Sequence, residues 1–90
     1  MIRVMLSEKE DTEIELSGHA CDELVCAAVS GLFYALLGYL KESGCVINTF
    51  YAKSGKGKIA FSGGKEAVKM FAAGLRAIEK EHGDDIYIVK

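Results

Sequence analysis

Residues 24–40 read Leu-Val-Cys-Ala-Ala-Val-Ser-Gly-Leu-Phe-Tyr-Ala-Leu-Leu-Gly-Tyr-Leu, 17 positions without a charge. The run is too long for a strand, and Asp22 and Glu23 precede it, one a good N-cap and the other suited to the positive end of a helix. Gly44 is placed to close it, so a helix over roughly 23–42 is predicted. Its length touches the lower limit of a membrane span. A spanning helix would strand the flanking hairpins on opposite sides of a membrane, although both need one shared sheet to satisfy their backbone groups. Burial of one face against that sheet is the better account. Ala27, Ala28, Gly31, Ala35 and Gly38 would then admit close contact with a second copy of the helix.

Outward from this helix the period changes from 3.6 to 2. Ile2, Val4 and Leu6 alternate with Arg3 and Met5, and Ile14 and Leu16 with Glu13 and Glu15, as in strands with one wet face. The polar run Ser7 to Asp11 joins them as a hairpin. Cys45 to Ala52 is β-branched and aromatic, Ser54-Gly55-Lys56-Gly57 is a turn, and Ile59 and Phe61 alternate in the return strand. A second helix over about Lys65 to His82 carries Val68, Phe71, Leu75 and Ile78 as one stripe, with Gly83 placed to end it. Ile86 to Val89 is a short last strand. The order ββαββαβ predicts an α+β fold, a mainly antiparallel sheet packed with two helices, in a single domain over 1–90.

Ninety residues cannot support two cores, and half of them are apolar, more than a monomer of this size usually hides. Self-association through the first helix is expected. Three cysteines, an odd number, suggest no disulfide framework, and Met1 leads directly into a strand, which leaves no room for a targeting leader. The cytoplasm is the expected compartment. Net charge is −2, but eight of the 11 basic residues lie in the second half, with Lys53, Lys56, Lys58 and Lys65 gathered around glycines. That cluster leaves a non-catalytic, dimeric ribosome- or RNA-binding module as an alternative function, although a modest basic loop is more often a solvated turn.

Ser17-Gly18-His19-Ala20 closes the second strand, and Cys26 follows in the first turn of the helix. A cysteine there feels the positive end of the helix, and an imidazolium beside it would further favour the thiolate that a nucleophile requires. Unpaired N–H groups at the helix start are candidates for an oxyanion hole. The carboxylates of Asp22 and Glu23 oppose the thiolate unless one orients His19 or caps the helix, and either fits as a third member. Plainer roles exist: free cysteines are commonly buried and turn histidines commonly structural.

His19, Cys21 and Cys26 do not have a usual zinc spacing and no fourth ligand is evident, so no metal and no organic cofactor are expected. Cys21 reads as an exposed, redox-sensitive neighbour, Cys45 as core packing, and His82 as a partial cation at the end of the second helix. Ser62-Gly63-Gly64-Lys65 lacks the full phosphate-loop spacing and reads as a helix entry with at most an anion contact.

At Ser17-Gly18-His19-Ala20 and Val25-Cys26-Ala27-Ala28-Val29-Ser30 the chain resembles the ribosomal-processing cysteine protease family. The likeness extends over the whole chain in length and element order. It implies a homodimer packed through helices and a catalytic dyad at His19 and Cys26. It also implies a peptide substrate, the N-terminal extension of a large-subunit ribosomal protein. The chain departs from the commoner pattern in two places. Only six residues lie between His19 and Cys26, where a longer glycine-containing stretch is usual, and Glu23 stands where an aspartate is common. Ser30, four residues after Cys26, shares its helical face and either steadies the site or packs beside it.

Overall fold

The computed structural model describes residues 1–20 and 22–89, so the redox expectation for Cys21 and its part in a metal site lie outside the described residues. The elements are β1 (Ile2–Glu8), β2 (Thr12–Gly18), α1 (Glu23–Glu42), β3 (Val46–Lys53), β4 (Lys56–Ser62), α2 (Lys65–His82) and β5 (Ile86–Val89). They form the expected single α+β domain. The sheet runs β3-β4-β2-β1-β5, antiparallel at every pairing except β1 with β5, which is parallel.

Register explains the core. Leu6 faces Ile14, which faces Ile59 on the next strand; Val4 faces Leu16 and Ile88; Ile2 faces Ile86. Because side chains alternate across a sheet, the aliphatics of these rows share one face, and the helices cover it. From α1, Val25, Val29, Phe33, Leu36 and Leu40 pack down; from α2, Ala67, Val68, Phe71 and Leu75. Ile78, expected in the same stripe, is only partly buried. The other face of the sheet carries Glu13, Glu15, Lys56 and Lys58.

One position in these rows is empty. Gly57 lies opposite Leu16, and a Cβ there would stand 3.2 Å from the Phe33 ring. The missing side chain therefore gives Phe33 its seat. That ring also stacks on Phe50, with centroids 5.6 Å apart and planes at 23°.

The helix ends follow from local chemistry. Asp22 accepts from Leu24 N–H at 2.9 Å, and Gly44, at φ 74°, turns the chain so that Cys45 N–H returns to Leu40 O at 3.0 Å. Gly83 also ends its helix, but at φ −60° it stays right-handed rather than forming the left-handed cap expected of glycine. The turn into β5 is instead fixed by Asp85 N–H donating to His82 O at 2.9 Å. The segment 62–65 is a helix entry whose serine is engaged elsewhere: Ser62 Oγ donates to Asp11 at 2.7 Å, and Asn48 Nδ2 to the same carboxylate at 2.9 Å. Cys45 is half-buried against the core, as expected.

By length and composition α1, 20 residues long, is apolar enough to cross a membrane, with mean hydropathy 1.7 over its most apolar 18-residue window. Its five buried residues are packed on the sheet. What remains outside is a stripe in which Leu24, Tyr34 and Tyr39 are 69%, 55% and 46% exposed, interleaved with small residues. Apart from the helix's own backbone, a Cβ at Gly31 or Gly38 would meet nothing within 4 Å.

Candidate active site

β2 ends at Gly18, whose φ of 91° turns the chain away from the sheet. A Cβ there would collide with the Met1 carbonyl, so this turn requires glycine. The loop that follows is held at several points. Gly18 N–H donates to Gly55 O at 2.9 Å, the Met1 ammonium donates to the His19 carbonyl, and Ala20 packs against the core. The sulfur of Cys26 meets the same loop: Ala20 N–H donates to Sγ at 3.2 Å, and Sγ lies 3.8 Å from Ala20 O.

His19 and Cys26 open into one cavity of about 470 Å³, lined also by Ser30, Phe33 and Tyr34 of α1 and by the β3–β4 turn from Lys53 to Gly57. His19 is exposed and Cys26 half-buried. Cys26, Ser30 and Phe33 descend one helical face at spacings of four and three, which is why one wall of the cavity comes from a single helix. Among the described residues no hydrogen bond joins the His19 ring to the sulfur. The ring's Nε2 edge rests on the turn instead, since a Cβ on Gly55 would stand 2.5 Å from Nε2.

The carboxylates divide. Asp22 is engaged as the helix cap, and its carbonyl accepts from Val25 N–H at 3.1 Å and Cys26 N–H at 3.3 Å. The expected oxyanion hole at the helix start therefore needs correcting: three of the N–H groups it would draw on, those of Leu24, Val25 and Cys26, already point at Asp22. Glu23 is the first helical residue and is exposed. Ser30 lines the cavity one turn beyond Cys26, on the side expected. His82 ends α2, far along the chain from this site, beside Leu24, Val25 and Ala28 in a shallow groove.

Gly55 was legible as a turn residue, but its contact with His19 was not, because 36 positions separate them. It meets two demands at once, a φ of 75° and a bare face toward the imidazole. Alanine there is expected to cost about 1–2 kcal/mol in backbone strain and to push the ring off the turn. D-alanine accepts the positive φ and directs its methyl away from the position that meets His19. The His19 ring resonances should therefore move strongly in Gly55→Ala and little with D-alanine at that position; equal changes would mean that backbone strain, not the bare face, governs the ring.

The lysines of the second hairpin do not form a uniform basic surface. Lys53 and Lys56 face each other at the cavity mouth, whereas Lys58 lies opposite Glu15 and within 3.7 Å of Glu13. Carboxylates interleaved with the cations weaken attraction to a phosphate backbone.

No protein-family model and no curated protein sequence matches the chain. Solved structures do. The essential ribosomal-processing protease Prp of Staphylococcus aureus, with a covalently linked product peptide, superposes with a TM-score of 0.83 at 20% identity, over 99% of this chain and 98% of that one. The same protease with a substrate peptide gives 0.78 at 16%, over 98% and 97%. A hypothetical protein from Staphylococcus aureus gives 0.74 at 16%, over 99% and 98%. Along nearly its whole length, the chain has the fold of the ribosomal-processing protease, the likeness its two short sequence blocks had suggested.

Proposed function

We propose that the chain is a cysteine endopeptidase that removes the N-terminal extension of a large-subunit ribosomal protein in the cytoplasm. The observation that carries this reading is the meeting of Cys26 and His19 at one cavity, in a fold shared with a protease solved with peptides in place. His19 takes the thiol proton, Cys26 Sγ attacks the peptide carbonyl, and the departing amine receives the proton from the imidazolium. Water then hydrolyses the thioester with His19 as base. Before the first step the ring has to leave Gly55 and turn toward the sulfur, a movement that an exposed side chain on a short loop can make. Of the two acidic neighbours Asp22 acts as cap, which leaves Glu23 as the carboxylate able to orient the imidazole.

The test is incubation with a peptide spanning the extension junction of the source organism's own ribosomal precursor, followed by mass spectrometry. Two shorter products, and a transient acyl adduct on the tryptic fragment that holds Cys26, are expected. An intact peptide and an unmodified Cys26 after prolonged incubation would refute the reading.

The working unit in this proposal is a homodimer joined through the exposed stripe of α1, where small residues let two helix backbones approach. Gly38 is open and lies along the stripe, away from the cavity. In sedimentation the protein should behave as a dimer and Gly38→Arg as a folded monomer. A monomeric parent at micromolar concentration would exclude this interface.

A further inference from the structure

We infer that the backbone N–H of Ala20 holds the oxyanion formed when Cys26 attacks its substrate; the assignment rests on the peptidase reading above and adds the donor that reading lacks. Three N–H groups at the start of α1 are committed to Asp22, that of Cys26 itself included. Ala20 N–H is differently placed. It points at Cys26 Sγ from 3.2 Å, and its own loop is anchored on both sides, by Gly18 N–H to Gly55 O and by the packing of Ala20 against the core. An N–H aimed at a nucleophile is also aimed at the atoms that bond to it.

As the C–S bond forms, the carbonyl π pair moves onto oxygen, one bond from the carbon that sulfur has reached. The thiolate charge that Ala20 N–H faced is then on that oxygen. The donor transfers from sulfur to oxygen with little movement of the loop, within the roughly 2.7–3.1 Å that such a donor needs. When the tetrahedral species collapses, the C–N bond breaks, the amine leaves with the proton from His19, and the N–H returns to the thioester side. No oxidant or metal enters the balance.

The side chain cannot test a backbone donor, but the chain's chemistry can. Cys21 permits ligation of a synthetic 1–20 thioester to residues 21–90, so the amide between His19 and Ala20 can be replaced by an ester that deletes only this N–H. Three readouts separate the roles: peptide hydrolysis, affinity for a peptide aldehyde, whose thiohemiacetal with Cys26 places an oxygen where the oxyanion would form, and alkylation by iodoacetamide, which places none there. The ester protein should lose about 10²- to 10³-fold in kcat/KM, with a parallel loss of aldehyde affinity. Alkylation should change by less than about threefold on the same reasoning.

Equal losses in all three would overturn the assignment, because the N–H would then serve the sulfur or the loop and not the oxyanion. So would no loss in any. If the all-amide protein binds the aldehyde yet cleaves no peptide, the peptidase reading fails. The difference in aldehyde affinity between the two proteins would still decide the role of Ala20.

Discussion

Cys26→Ala should lower peptide hydrolysis by roughly 10⁴- to 10⁶-fold, the loss seen when the nucleophile of a covalent mechanism is removed. The fold should survive, because Cys26 is half-buried at the cavity wall and its loss removes a single sulfur. His19→Ala should lose less, since a thiol ionises in part without a base, and added imidazole should restore some of the activity. The double variant should be no worse than Cys26→Ala, because the two groups act as one unit. Iodoacetamide should modify Cys26, which opens into the cavity, faster than Cys45, which packs against the core beside Gly63 and Gly64. Cleavage by Cys26→Ala within tenfold of the parent would sink the covalent mechanism.

What the sequence revealed and what it concealed divide along the range of the forces involved. Helix α1 was readable over 23–42 because its signals are local: an uncharged run, a capping Asp22 and a closing Gly44. Strands β1 and β2 were readable for the same reason, as their alternation matches one buried face, whereas β3, which buries no residue fully, was readable from its β-branched and aromatic composition. The parallel pairing of β1 with β5 was not, since it joins Ile2 to Ile86 and nothing near either residue encodes it.

The candidate site shows the same division. His19 and Cys26 are joined by a short connection, so their approach to one cavity could be anticipated. The resting place of the imidazole on Gly55 depends on a turn that reaches the loop only through the finished sheet. The commitment of helix N–H groups to Asp22 is local, yet it runs against the chemical expectation. The residue that makes the helix start well also takes the donors a catalytic reading would assign to substrate.

Phe33→Ala should be the most destabilising single truncation near the site. The ring is 2% exposed, stacks on Phe50 and occupies the space that Gly57 leaves open. Removing it forfeits its burial and opens a void at the cavity floor, costing about 3–5 kcal/mol by the usual behaviour of buried phenylalanine. Against a total stability of about 5–15 kcal/mol for a domain, much of the folded population is then at risk. Urea denaturation at one fixed protein concentration measures this, since any dimer makes stability concentration-dependent.

The sharper form of the prediction is a change of sign. In the parent, Gly57→Ala should destabilise, because its methyl would meet Phe33 at 3.2 Å. With Phe33→Leu, the ring is gone, and alanine in place of glycine should stabilise by the roughly 0.5–1 kcal/mol that a strand interior gains from that exchange. A double-mutant cycle in which Gly57→Ala has the same effect in both backgrounds would show that Phe33 and Gly57 are independent. The gap in the sheet would then have nothing to do with the ring beside it. If the effects differ as expected, the glycine that follows the hairpin turn is explained by packing, and the cavity that holds Cys26 owes its floor to one aromatic seated in one missing side chain.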